Sequence, residues 1–122
     1  MKIVADENIP LLDHYFGDLG QLLVKPGRAI TPDDVKDADL LLVRSVTHVD
    51  KHLLENSSVK FVGSATTGAD HIDTHWLDEK GIRWAIAQGC NSEAVAEYVV
   101  CVIAALQKME YLLQRNLRAG VI

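Results

Sequence analysis

The pattern of this chain predicts a doubly wound α/β domain built on a parallel five-stranded sheet. Two observations carry that prediction. Short, unbroken apolar runs recur at Ile3-Val4-Ala5, Leu22-Leu23-Val24, Leu40-Leu41-Leu42-Val43, Phe61-Val62 and Trp84-Ala85-Ile86. Runs of this length without polar alternation suit strands covered on both faces, as in a parallel sheet. Between them lie segments with helical spacing or helix-start signals, so strand and helix alternate through about 90 residues.

The connections follow in order. From Ile9 to Leu19, apolar residues at Leu11, Leu12, Tyr15, Phe16 and Leu19 repeat every three or four positions and predict an amphipathic helix. Pro10 falls near its first turn, where a missing N–H does no harm. Thr31-Pro32-Asp33-Asp34 predicts a capped short helix before the third strand, and Asp50 to Glu55 another before the fourth. Asp73 to Lys80, with Trp76 and Leu77 facing inward and Gly81 closing it, precedes the fifth.

Asn91-Ser92-Glu93 then opens a helix that runs to about Leu117 without proline or glycine, its first half apolar nearly all round. About 27 residues at roughly 1.5 Å each reach about 40 Å, more than the width of the small sheet domain, so this helix is expected to project and bury itself elsewhere. The expected organisation is a sheet domain over 1–90, a long helix over 91–118, and at 119–122 a turn and the first residues of a further strand. A chain ending there reads as the leading part of a longer protein.

Composition narrows the partners. Hydrophobic residues at 48% and charged residues at 24% describe a soluble globular chain with no low-complexity tract. The net charge is -5 and the positive charges are scattered, which argues against nucleic acid and anionic membrane as partners. The most apolar stretch, Ala94 to Leu106, carries Glu97 and is shorter than the roughly 20 residues a membrane span needs. Cys90 and Cys101 form no CxxC pair, and the chain opens Met1-Lys2-Ile3-Val4 rather than with a signal peptide. A reducing cytoplasm is the expected location.

Chemistry is expected at the carboxyl ends of the strands, where ligands collect in such sheets. Lys60 to Asp73 passes from an apolar strand through small hydroxyl and glycine residues to a carboxylate-rich helix start. Small side chains let a ligand approach the backbone, and N–H groups at the helix entry face an anion. Arg44-Ser45-Val46-Thr47 ends the third strand and Ser64 through Gly68 the fourth, so a guanidinium, several hydroxyls and backbone N–H groups open on one edge and could hold a carboxylate or phosphate. The competing structural reading pairs Arg44 with a surface carboxylate and uses Ser45 and Thr66 as helix caps.

Other candidates are weaker. His71, Asp73 and His75 are spaced by two, which suits ligands on a strand, but the segment enters a helix, where such residues diverge. No metal is expected. Asp70 and Asp73 read as first-turn carboxylates and caps, and His48 and His52 as solvated. Cys90, behind Gly89 at a helix entry, reads as structural because no partner base is identified, and Cys101 as packing. No G-x-G-x-x-G or G-x-x-x-x-G-K-[ST] element occurs, so no dinucleotide site is expected in this chain, nor any catalytic acid–base pair.

Three stretches carry a resemblance. Val43-Arg44-Ser45-Val46-Thr47, Phe61 to Asp73, and Gly89-Cys90-Asn91 before Val95-Ala96-Glu97-Tyr98-Val99 resemble the erythronate-4-phosphate dehydrogenase family, a branch of the D-isomer-specific 2-hydroxyacid dehydrogenases. Asp6-Glu7-Asn8-Ile9-Pro10 and Pro26-Gly27-Arg28 resemble it too. The resemblance implies a flavodoxin-like substrate lobe, a long helix leading to an inserted NAD-binding Rossmann domain absent from this chain, and a homodimer at full length.

It further implies that Ser45 and Thr66 contact the substrate, with Arg44 a third contact. The implied reaction is oxidation of 4-phospho-D-erythronate at its 2-hydroxyl, with hydride passing to NAD, in the making of pyridoxal 5'-phosphate. The family's catalytic arginine, glutamate and histidine and its glycine fingerprint lie beyond Ile122, so no catalytic residue is carried over and the chain alone is expected to be silent. Two alternatives stand: a lobe of another D-2-hydroxyacid dehydrogenase, or a stand-alone flavodoxin-like domain that dimerises through its long helix.

Overall fold

Strands β1 (Lys2–Asp6), β2 (Gln21–Lys25), β3 (Leu40–Val43), β4 (Phe61–Ser64) and β5 (Arg83–Ile86) form one parallel sheet in the order β2-β1-β3-β4-β5. The computed structural model describes residues 1–9, 12–66 and 68–86. The helix expected from Asn91, the strand start at Val121-Ile122, Cys90, Cys101, Pro10, Leu11, Thr67 and the side chain of Tyr15 lie outside the described residues. The strand order is that of a flavodoxin-like sheet, whose winding reverses between β1 and β3.

Alternation within each strand builds two cores. Ile3 and Ala5, Leu40 and Leu42, and Phe61 face the side covered by α1 (Leu12–Phe16), where Phe16 is buried. Val4, Leu41, Val43 and Val62 face the side covered by α2 (Pro32–Val35), α3 (Lys51–Leu54) and α4 (Thr74–Glu79). Val35, Leu54 and Leu77 are the buried anchors of those three helices. Both faces of the central strands are thus dry, which is why the apolar runs are continuous.

The helix starts follow the expected caps. Asp50 accepts from the Leu53 amide at 3.1 Å and Asp73 from the Trp76 amide at 3.1 Å. Asp34 accepts from the Thr31 amide at 2.8 Å and its hydroxyl at 3.0 Å. Lys25 reaches the same carboxylate at 2.7 Å. Burial opposes ionisation of Asp34, but Lys25 and Thr31 together hold its carboxyl below the usual carboxylate value. Gly81, at φ +71°, closes α4 in the left-handed region.

One element is shorter than its periodicity predicts. The helix predicted from Ile9 to Leu19 stops at Phe16, the end of α1, and is followed by a turn in which the Leu19 amide donates to the Phe16 carbonyl at 3.1 Å. The chain must reach β2 at Gln21, and Gly20 turns it there with φ +154°. Leu19 still packs on the α1 core from the turn, so it keeps the spacing of a helical residue without being one. No helix among the described residues is long and apolar enough to cross a membrane.

Candidate functional site

The tips of β3 and β4 are neighbours because the strands pair in register, Val43 opposite Ser64. One more ladder bond, from the Ala65 amide to the Val43 carbonyl at 2.9 Å, carries the pairing past the last strand residue. Beyond it the chains part. After β3, Arg44 to Thr47 form a tight turn, and after β4 the chain loops through Gly68 to His71.

The two loops rejoin further out. Val49 and Ile72 form an isolated parallel bridge, with the Val49 amide donating to the His71 carbonyl at 2.8 Å and the Asp73 amide to the Val49 carbonyl at 2.8 Å. Both loops are therefore tied at base and far end. Between the ties lies an open cleft of about 610 Å³ lined by Ser45, His48, Thr66, Gly68, Asp70 and His71. That volume falls within the roughly 300–1,000 Å³ of small-molecule sites.

Ser45, His48, Gly68 and Asp70 are exposed, Thr66 is half-buried, and His71 lies at 8% exposure on the floor. His71 Nε2 is 2.7 Å from Ser64 Oγ, Ser64 Oγ is 2.7 Å from Thr66 Oγ1, and Thr66 Oγ1 donates to the Gly68 carbonyl at 2.9 Å. Ser64 is fully buried, so this chain supplies its hydrogen bonds where water cannot. Burial pushes the His71 ring below its ordinary value of 6.5, the charge of His48 adds to that, and Asp70 acts in the opposite sense. The ring is neutral at pH 7, and Asp70 is the one carboxylate among the described lining residues.

Of the expected site residues, Ser45 and Thr66 share this cleft. Arg44 is half-buried and is not among the lining residues, and among the described residues it has no carboxylate partner. Ser45 and Thr66 cap no helix among the described residues, where α3 and α4 are capped by Asp50 and Asp73. His71, Asp73 and His75 diverge: one is buried, one caps α4, and His75 pairs with Glu79 on the surface at 3.0 Å. Among the described residues no group of three or more His, Cys, Asp or Glu gathers to hold a metal.

Sequence reasoning places Ser64 in the binding turn over 64–68 but misses a site role for His48, Asp70 and His71, which it reads as solvated, as a cap and as a rejected metal ligand. Ser64 and Thr66 are two apart at the end of a strand, a same-face spacing that could have flagged the pair. His71 gave no such signal, because its reach to Ser64 depends on the loop at Gly68 folding back.

With that geometry in place, comparison with known proteins gives a consistent result. Residues 2–121 match the family described as D-isomer specific 2-hydroxyacid dehydrogenase, catalytic domain. The chain is 62% identical over 104 residues to an erythronate-4-phosphate dehydrogenase of Marinobacter nauticus, covering 85% of this chain and 27% of that protein. It is 55% identical over 122 residues to one from Teredinibacter turnerae, covering 100% of this chain and 32% of that protein. The chain thus spans about a third of the length of the curated relatives it matches. Its fold matches D-lactate dehydrogenase from Aquifex aeolicus, solved with NAD and lactic acid, with a TM-score of 0.63 at 21% identity, over 98% of this chain and 38% of that one. The chain belongs to the D-isomer-specific 2-hydroxyacid dehydrogenase family.

Proposed function

We propose that this chain is the substrate-binding lobe of an NAD-dependent dehydrogenase that oxidises 4-phospho-D-erythronate to 2-oxo-3-hydroxy-4-phosphobutanoate in the synthesis of pyridoxal 5'-phosphate. The observation that carries the reading is the convergence of Ser45 and Thr66 on one open cleft at the carboxyl ends of β3 and β4. The likeness to two erythronate-4-phosphate dehydrogenases, at 55–62% sequence identity over most of the chain, supports the choice of substrate. Ser45 and Thr66 are the primary contacts, and Arg44, next to Ser45 in the same turn, is the third.

The described residues do not fit the nicotinamide cofactor. They offer hydroxyls, imidazoles and a carboxylate, and the sequence has no glycine fingerprint at which a pyrophosphate could approach a helix start. NAD is assigned to a further domain reached through the segment from Asn91, and the full-length protein is proposed to act as a cytoplasmic homodimer. The cleft has no acid–base pair placed for hydride chemistry: His71 is bonded to Ser64, and no hydrogen bond joins it to Asp70 among the described residues. The chain by itself binds and does not turn over.

In the full-length enzyme, Ser45→Ala and Thr66→Ala should each raise the KM for 4-phospho-D-erythronate about tenfold while leaving the KM for NAD within about twofold. An unchanged substrate KM in both variants removes these residues from the pocket. NADH production by the 122-residue chain alone would show that catalysis had been assigned to the wrong part of the protein.

A further inference from the structure

Ser64 and His71 have no role in the reading above, yet Ser64 is bonded to Thr66 and His71 to Ser64. The chain from His71 Nε2 through Ser64 Oγ and Thr66 Oγ1 to the Gly68 carbonyl has contacts of 2.7, 2.7 and 2.9 Å. Three contacts need three protons. A carbonyl only accepts, so Thr66 commits its single hydroxyl proton to Gly68. The Ser64–Thr66 contact then needs the Ser64 proton, and Ser64, left without one, must receive its third contact from N–H at His71 Nε2. Any other assignment leaves two lone pairs facing each other at one contact, and Ser64, at 0% exposure, has no water to turn to. The order is met by the cation and, in the neutral ring, by the tautomer that carries its proton on Nε2.

We propose that His71 and Ser64 are positioning residues that fix Thr66 as a hydrogen-bond acceptor toward the cleft, so that Thr66 selects a donating ligand hydroxyl rather than a phosphate or carboxylate oxygen. The inference depends on the substrate reading given above and sharpens it. In 4-phospho-D-erythronate the hydroxyl that is not oxidised stands at C3, and this is the group assigned to Thr66. The anionic ends fall to Ser45, Arg44 and other donors.

The test compares 4-phospho-D-erythronate with its 3-deoxy analogue in the full-length enzyme. The wild type should prefer the hydroxylated substrate about tenfold in kcat/KM, chiefly through KM. Thr66→Val should reduce that preference to within about twofold, as should His71→Leu, while His71→Gln, which keeps an N–H donor, should restore most of it. A wild-type ratio near one, or a ratio that survives in Thr66→Val, overturns the assignment. A measurement that needs no variant is the ring nitrogen spectrum of the 15N-histidine-labelled chain above pH 7. The proton should sit on Nε2 of His71, and a bare Nε2 with a protonated Nδ1 overturns the proposal. Failure of the parent reading looks different: Ser45→Ala and Thr66→Ala would leave the KM for the intact substrate unchanged whatever the tautomer.

Discussion

Two mouths lie side by side on the carboxyl edge of this sheet, and only one of them is open. The mouth between β1 and β3 is where the winding reverses and where ligands of such folds commonly sit. Here it is filled by protein. Asp6, at the end of β1, is fully buried, and Thr47 donates to the Gly27 carbonyl at 2.7 Å across the gap. A Cβ on Gly27 would stand 2.2 Å from Asp6 Oδ2 and 2.6 Å from Val46 Cγ2, so that space is packed to contact. One strand along, no atom of the described residues other than Gly68 and its chain neighbours lies within 4 Å of the Gly68 Cβ position, and the cleft opens over it. Topology offers a crevice, but the side chains at the strand tips decide which one a ligand can enter.

The contrast can be broken from either side, and the largest effect is expected at the filled mouth. Gly27→Ala should lower unfolding stability by about 1–3 kcal/mol in urea titration, because neither the short buried Asp6 side chain nor the branched Val46 can withdraw far. A neutral result would show that the β1/β3 crevice is looser than its packing indicates. Thr47→Val should follow at about 1–2 kcal/mol, since it keeps the shape but strips the Gly27 carbonyl of its buried donor.

At the open mouth the expected effects on stability are smaller. The His71 pKa is lowered in the folded state, so below 6.5 the unfolded chain binds more protons than the folded one. Stability from this group is complete above 6.5 and is lost as pH falls through the lower folded value. His48 and Asp70 act on the same ring in opposite senses, so the slope is read with both present. Denaturation midpoints between pH 7.5 and 5.5 should fall in the wild type and fall less in His71→Gln; parallel slopes would separate His71 from the effect. Gly68→Ala should change stability by no more than about 0.5 kcal/mol. It should nevertheless weaken ligand binding, because the new methyl enters space that the ligand needs.

The same contrast explains what the sequence disclosed. Strands β3 and β1 were readable because Leu40 to Val43 and Ile3 to Ala5 are buried on both faces and leave no polar gaps. Starts of α2 and α4 were readable because Thr31 and Asp73 act within three residues of themselves. The length of α1 was misread because Leu19 reaches the core from a turn. Ser45 and Thr66 were legible as residues at neighbouring strand tips. The plug at the first mouth was not, since Gly27 meets Asp6 and Val46 only once β1, β2 and β3 are in register. His71 likewise meets Ser64 from seven positions further along the chain, and no period in the sequence encodes that meeting.

The most direct test of the open-mouth claim is a titration of 4-phospho-D-erythronate into the 15N-labelled chain, followed by amide shifts to millimolar concentration. Binding at the β3/β4 tips predicts shifts at Ser45, His48, Thr66, Gly68 and His71, with Asp6, Gly27 and Val46 unmoved. Shifts centred on Asp6 and Gly27 would put the ligand in the crevice described here as full, and would contradict the account.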